Sequence, residues 1–403
     1  MDIIILPFHD YKKWTNEGFR TRDAHLYEHL KRSSDIDKIL IINRPVSLLE
    51  MIIKKQNWCI KSNNIFHKEQ TLQITQIDEK TFCLDIFIPD FLRVIKEKKQ
   101  WWFSCFNYPK VINGINKSLK LLKFKDSILF LQNPMAINIV RKIENRIFVF
   151  DAIDNWAVHP QMKQNRDLIL KNYSYVDHNA DLILTVSQNL LNIFPNNKNK
   201  HWVANGVDID YFAHAVKPNF SQKITIGYVG KIQERVDFDL IEECLQKLPN
   251  FQFLFLGPLY AQKRKAKELT KHYKNIQFQG DIHYLDLPNT MQDIDIAIIP
   301  HKIDSFTSSM NPLKLYEYLA AGKPVVTTKV AGVNSISQYV FEANTPAEFI
   351  TLIEKVSKEL YTTITAEKII SSINPDVTWS NRTNAIISLF HETYRNKLSQ
   401  EDK

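Results

Sequence analysis

Ser308-Ser309-Met310-Asn311-Pro312-Leu313-Lys314-Leu315-Tyr316-Glu317-Tyr318-Leu319-Ala320-Ala321-Gly322-Lys323-Pro324-Val325-Val326 is the stretch from which the rest of the chain can be read. It combines a polar loop, a short helix, a sharp stop and a buried strand. Asn311 is a good N-cap residue, and Pro312 sits where a missing N–H costs nothing. Leu315 and Leu319 share one helix face, and Leu313, Tyr316 and Ala320 share another. Gly322 suits the left-handed residue that ends a helix, and Pro324 blocks any continuation. The strand Ile296-Ala297-Ile298-Ile299 comes just before. The helix therefore starts at the carboxyl edge of a sheet, where its free amides and positive dipole end suit a phosphate. Glu317 is a single carboxylate on an otherwise apolar helix. A plainer reading of the same residues is a structural helix carrying a Lys314–Glu317 surface pair.

Outward from this stretch, strands and helices alternate through most of the 403 residues. In the second half, strands end at Gly230, Gly257-Pro258 and Gly280, and helices follow them. In the first half, strands are expected over Ile3–Pro7, Lys38–Ile42, Ser127–Leu131, Arg146–Asp151 and Leu182–Val186. Leu72–Ile77 and Thr81–Ile88 alternate as a β-hairpin. Asn16–Arg20 reads as a polar loop, and Pro218-Asn219-Phe220-Ser221 as a linker. The fold class expected is α/β: two doubly wound Rossmann-like domains facing across a cleft. The expected division is residues 1–212, residues 213–378 and a C-terminal helix, 379–403, packing back on the first domain.

Composition narrows the function. A hydrophobic fraction of 44% is ordinary for a soluble chain, and no apolar run approaches the eighteen residues of a membrane span. The opening Ile3-Ile4-Ile5-Leu6 reads as a strand, without a basic leader or cleavage site, so a cytoplasmic protein is expected. Cys59, Cys83, Cys105 and Cys244 are scattered outside any metal-ligand spacing. The net charge of +8 favours anionic partners such as nucleotides or phospholipid headgroups; nothing beyond that charge speaks for nucleic acid. Seven of the nine glycines lie at or after Gly206, which marks the second half as the more standard nucleotide-binding unit.

The candidate site follows the strand ends. Gly230 and Gly257 allow close backbone approach, and Lys231 and Arg235 could neutralise a diphosphate, although a solvated loop with two surface cations fits as well. In the first half, Gly18, Phe19 and Arg20 follow the first strand, either facing the cleft or forming a surface turn. Asn133 and Asp154 stand at later strand ends. Asp154 could orient an acceptor hydroxyl or act as a base, or merely cap its loop. Asp208-x-Asp210, Asp237-x-Asp239 and Asp293-x-Asp295 resemble metal-binding DxD motifs but fit hinge, helix-start and strand-start roles better, so no metal site is expected. Lys96-Glu97-Lys98-Lys99-Gln100-Trp101-Trp102-Phe103 mixes cations and aromatics, as a membrane-surface contact would, or a half-buried helix with a charged end.

Ile226-Gly227-Tyr228-Val229-Gly230, Asn205-Gly206-Val207-Asp208 and the run from Asn311 to Val326 together resemble the C-terminal half of GT-B glycosyltransferases of family 4, and more narrowly the teichuronic-acid-biosynthesis type. The resemblance is firm over about residues 180–330. It extends more weakly to Asn16–Arg22 and Phe150–Trp156. It implies a bacterial cell-envelope enzyme that moves a sugar from a nucleotide-diphosphate donor to a saccharide or lipid-linked acceptor. Retention of configuration and independence of metal or other cofactor are implied too. By resemblance, Glu317 would hold the donor ribose, and the amides near Ser308, Ser309, Met310 and Asn311 would meet the diphosphate. Lys231 and Arg235 would match the basic pair of the glycine loop. Ser309 stands where the family usually has a second glutamate, and Gln132-Asn133-Pro134 ends the strand where a first-domain histidine is common. The competing functions are an epimerase or hydrolase of the same fold, and a non-catalytic partner that retains the nucleotide site.

Overall fold

The structure, a computed structural model, describes residues 1–143, 147–216, 223–329 and 336–401. The linker expected at Pro218–Ser221 lies outside the described residues. The chain divides into two compact units, residues 1–203 with 383–403, and residues 204–382. The change of unit thus falls at Val203/Ala204, ahead of the 212/213 boundary expected from sequence.

Among the described residues the first unit has ten strands. They are β1 (Asp2–Leu6), β2 (Lys38–Ile42), β3 (Val46–Ser47), β4 (Ile65–Lys68), β5 (Leu72–Gln76), β6 (Thr81–Ile88), β7 (Ile128–Leu131), β8 (Ile147–Ala152), β9 (Leu182–Thr185) and β10 (Lys200–Trp202). Their order is β10-β9-β8-β7-β1-β2-β6-β5-β4, with β3 beside β6. Pairing is parallel except where β5 joins β4 and β6. The continuous apolar runs Ile3–Leu6 and Ile128–Leu131 are buried throughout, as central parallel strands covered on both faces must be. The last helix, Trp379–Glu401, packs on this unit through Phe390 against Phe130 and through Lys397, whose Nζ is 2.9 Å from Asp181.

The second unit is an all-parallel sheet of six strands: β11 (Thr225–Val229), β12 (Gln252–Leu256), β13 (Ile276–Gln279), β14 (Ile296–Ile299), β15 (Val325–Thr328) and β16 (Val340–Ala343). Their order is β13-β12-β11-β14-β15-β16. The order reverses between β11 and β14, which is the switch point where open α/β sheets take ligands. Here β11 pairs with β14 only at Ile226 and Gly227, and beyond that the two strands diverge. The backbone groups of Val229 are satisfied by a side chain instead: its N–H donates to the Tyr318 hydroxyl (2.7 Å), which donates to the Val229 carbonyl (3.3 Å). The crevice thus opens with the Val229 backbone groups still paired.

The helix of the opening motif spans Leu313–Ala320, with Pro312 as its N-cap. The Asn311 side chain is used elsewhere. Its Oδ1 accepts from the Asn205 amide at 2.9 Å and its Nδ2 reaches the Tyr316 hydroxyl at 2.9 Å. The expectation of an Asn311 cap is therefore corrected, because the Asn205-Gly206 turn claims that side chain. At the other end of the helix, Gly322 takes the left-handed conformation expected of it, at φ +68°.

Candidate functional site

In the second unit the candidate site is built from the ends of β11, β12 and β14 and from the helix Leu313–Ala320. Gly257 touches Gly230: a Cβ on Gly257 would lie 2.2 Å from the Gly230 carbonyl oxygen. This contact draws the two strand ends together under the crevice. Tyr228 is fully buried on β11. Its hydroxyl donates to the Lys231 carbonyl (3.2 Å) and accepts from Lys314 Nζ (2.6 Å), which also lies 3.9 Å from the ring centroid. Lys314 thus points at the strand ends, and Glu317 is buried. The surface-pair reading of these two residues is overturned, because Lys314 reaches in to a buried phenol and Glu317 is itself withdrawn from solvent.

Electrostatics single out this place. Burial, then the charge of Arg235, holds the Lys314 ammonium well below its ordinary pKa, while Glu317 pulls the other way. Burial, Lys314 and Arg235 together hold the His301 imidazole well below its ordinary value. His301 stands just past β14, and among the described residues both its buried ring nitrogens are without hydrogen-bond partners. Burial raises the Tyr228 phenol's pKa, opposed by the nearby Arg235. Arg235 therefore disfavours the charge of Lys314 and His301, and Lys314 that of His301, at a strand-end crevice, a repulsion that a bound anion would relieve.

Other expected donor residues lie around this cluster. Thr307–Ser309 form a single 3-10 turn, and Ser309 is buried with its hydroxyl on the Phe306 carbonyl at 2.8 Å. The Ser308, Ser309 and Met310 amides donate to Asp304, Phe306 and Thr307 carbonyls within this turn. The amides that helix geometry leaves over are those of Leu313 and Lys314, since the Leu315 amide donates to the Pro312 carbonyl at 3.1 Å. Glu317 lies beside Tyr284. Burial raises the Tyr284 pKa and the Glu317 charge raises it further, and Tyr211 stacks on Tyr284 at 5.5 Å. A buried carboxylate beside two phenols is a natural acceptor for sugar hydroxyls.

Lys314, His301 and Tyr284 were not singled out as site residues from sequence. A signal for Lys314 was present: a cation in a helix's first turn opposes the dipole and calls for another reason to be there. His301 carried a fainter one, as a histidine immediately beyond a buried strand's carboxyl end.

The match to known families falls on this unit. Residues 223–359 match the family described as glycosyl transferases group 1. The second unit carries a group 1 glycosyl transferase domain. Its neighbours in sequence agree: a candidate teichuronic acid biosynthesis glycosyltransferase of Bacillus subtilis (strain 168), TuaH, is 30% identical over 203 residues. That alignment covers 48% of this chain and 49% of the relative, so the match spans about half the length of the curated protein. Around the group 1 domain, the whole chain shares its fold with solved structures. The catalytic domain of starch synthase IV from Arabidopsis thaliana, bound to ADP and acarbose, superposes with a TM-score of 0.68 at 11% identity, covering 98% of this chain and 99% of that one. Anabaena HepE in complex with UDP-glucose gives 0.61 at 13% identity, covering 99% and 100%. The fold class is GT-B, as the sequence indicated.

The first unit has its own switch point, between β1 and β7. An open cavity of about 720 Å³ lies there, lined among others by His9, Glu17, Arg44, Trp102 and Asn133. Asp23, buried, accepts from the His9 amide at 2.8 Å and lies 3.3 Å from His9 Nδ1. Burial pushes the Asp23 carboxyl up, but the His9 charge, with bonds from His9 and Thr21, outweighs it and leaves a pKa of about 2. An imidazole held by a carboxylate can orient a hydroxyl or take its proton. Asp85, also buried, ties the cavity wall together by accepting from Lys12 Nζ (3.1 Å), Asn43 Nδ2 (2.9 Å) and the Ile60 amide (2.9 Å).

Of the first-half residues nominated from sequence, Asn133 lines this cavity, while Gly18, Phe19, Arg20 and Asp154 do not. The expected loop at Asn16–Arg20 begins inside a helix, Tyr11–Glu17, which Gly18 ends at φ 76°. The Phe19 amide is spent on the Trp14 carbonyl (2.8 Å) and its ring packs among Tyr11, Trp14 and Tyr27. Arg20 Nε pairs with Glu17 at 2.9 Å. Gly18, Phe19 and Arg20 thus end a helix, with the half-buried Phe19 ring packed on its aromatic neighbours rather than presented to this cavity. The Asp154 carbonyl accepts from the Trp156 amide and the Tyr173 hydroxyl, both at 3.1 Å. The carboxylate buried at this edge of the sheet is Asp151, which takes Arg22 Nη2 at 2.9 Å and Gln132 Nε2 at 3.0 Å. Two of the DxD aspartates serve the backbone: Asp237 caps the helix Phe238–Lys247, and Asp295 accepts from the Thr225 amide at 2.8 Å. Among the described residues no group of three or more His, Cys, Asp or Glu side chains could hold a metal ion.

Proposed function

We propose that this protein is a retaining, metal-independent glycosyltransferase. It moves a sugar from a nucleoside-diphosphate donor to a saccharide or lipid-linked acceptor in the synthesis of a bacterial cell-surface polysaccharide or glycolipid. It works at the cytoplasmic side of the membrane. The observation that carries this reading is the cluster of Lys314, His301 and Arg235 at the β11/β14 switch point, where burial first and a neighbouring cation second hold both Lys314 and His301 below their ordinary pKa. A diphosphate there meets Arg235, Lys314, Lys231 and the amides of Leu313 and Lys314, while the ribose hydroxyls donate to Glu317. As the glycosidic bond breaks, negative charge grows on the departing diphosphate. Fixed cations and amides then stabilise the transition state more than the ground state. On the first unit, Asn133 and the His9–Asp23 pair position the acceptor hydroxyl, with Asp154 retained as a second candidate. The HepE complex with UDP-glucose and the kinship with TuaH support a nucleotide-sugar donor and an envelope polysaccharide.

The test is a thermal-shift and calorimetry panel of nucleoside diphosphates and their sugars, with and without a chelator. At least one diphosphate should raise Tm, unaffected by chelation. Lys314→Met and Glu317→Ala should each weaken it by roughly ten- to a hundredfold, the loss of a charge-assisted contact. Lys314→Met should do so without lowering the Tm of the ligand-free protein, since it removes a repelled, half-buried cation. No shift with any diphosphate would sink the reading. Rapid nucleotide release without acceptor would point to a hydrolase instead.

A further inference from the structure

The helix Phe91–Glu97 buries none of its side chains fully. Phe91, Leu92 and Ile95 stand out from it at 46%, 67% and 53% exposure. It packs beside the helix Leu48–Lys54, which exposes Ile52 and Ile53 at 65% and 69%, and beside Trp101–Ser104, where Trp102 is 43% exposed. Six large exposed apolar side chains thus sit on three short helices that pack side by side in the first unit. Exposed Lys54, Lys55, Lys96, Lys98 and Lys99 lie on the same helices or in the residues directly after them. The acidic residues of these helices are turned to local partners: Glu50 to Arg44 at 2.7 Å and to Lys54 at 3.2 Å, and Glu97 to Arg93 at 2.6 Å, so the lysines counted on for charge are Lys55, Lys96, Lys98 and Lys99.

We infer that these helices dock on an anionic lipid surface. Apolar side chains accompanied by lysines suit a bilayer interface, where the chains enter the acyl boundary and the ammonium groups meet lipid phosphates. Lysine is depleted where proteins bind proteins, which argues against a protein partner for the same patch. Trp102 adds an amphipathic ring of the kind that settles at headgroup depth. The patch and the first unit's cavity share Lys54 and Trp102, so docking sets the cavity mouth at the lipid surface, within reach of a ligand carried on a lipid. The sequence had marked Lys96–Phe103 alone; there Trp101 and Phe103 are buried, and most of the exposed apolar surface comes from the two helices outside that stretch. Docking of these helices does not depend on the transfer reaction.

Co-sedimentation of the full chain with lipid vesicles tests it. Binding should be seen with phosphatidylcholine vesicles containing about a third phosphatidylglycerol, be weak without the anionic lipid, and fall steeply with added salt. Leu92→Asp with Ile95→Asp should lower the partition coefficient at least roughly tenfold. Lys98→Glu with Lys99→Glu should do the same through charge. All four positions are exposed, so unchanged circular dichroism and Tm are expected and would separate lost docking from lost folding. Equal binding by wild type and variants, or no binding by wild type, overturns the inference. So does a concentration-dependent dimer that the Leu92/Ile95 variant dissolves, since a second copy would then be the occupant.

Discussion

Asp23 is a carboxylate whose surroundings can be read out by titration. Its ordinary value is 3.8, and in the fold it is about 2. The stabilisation this represents is complete above pH 3.8 and is lost as pH falls through 3.8 toward 2, because over that window the unfolded chain takes up a proton that the folded state still refuses. Asp23→Asn should therefore cost on the order of 2 kcal/mol at neutral pH. Urea titrations of the two proteins should converge as the pH drops toward the folded value of about 2; a difference that stays constant across that window would contradict the assignment. Single residues were also where sequence reasoning divided most sharply. Glu317 was legible because a carboxylate on an apolar helix needs an explanation. His9 and Asp23 were not, because a helix and its flanking turns separate two groups that meet only after folding.

The elements of the second unit could be read almost in order up to β15, since β11, β12 and β14 are short, mostly apolar runs and several strands are closed by glycine or proline; β16, partly exposed and carrying Glu342, was not read. The helix Leu313–Ala320 shows how closely such punctuation is fitted. Gly322 lies at φ +68°, and a Cβ there would come within 2.6 Å of the Ala366 Cβ. Gly322→Ala should cost about 1–3 kcal/mol, from backbone strain together with overpacking, and lower the urea midpoint without changing the slope. A cost below a few tenths would mean that the helix end is looser than drawn. The elements missed lacked the signal itself. β4 is an exposed edge strand without alternation, and the helix Phe91–Glu97 has no buried face to impose a period.

At the scale of the molecule, each unit reverses its strand order once around its first strand, and each places its candidate groups there: β1 beside β7, and β11 beside β14. Alternating strands and helices made that architecture legible, because a parallel sheet forces crossover helices and buried strand runs. The first unit's antiparallel extension through β4, β5 and β6 was only half visible, as a hairpin around Asp78-Glu79-Lys80. The helix Phe91–Glu97 has one more consequence. Only its Val94 packs against the core, and Arg93 over Tyr108 and Glu97 on Ser104 add two partly exposed ties, so its amides belong at the low end of the protein's local stabilities. In deuterium exchange it should label within the earliest time points, while β7 and β14 stay protected for as long as the whole protein stays folded. Adding anionic vesicles should slow that helix by a large factor and leave the second unit's rates unchanged, a readout of order gained at one place on the surface.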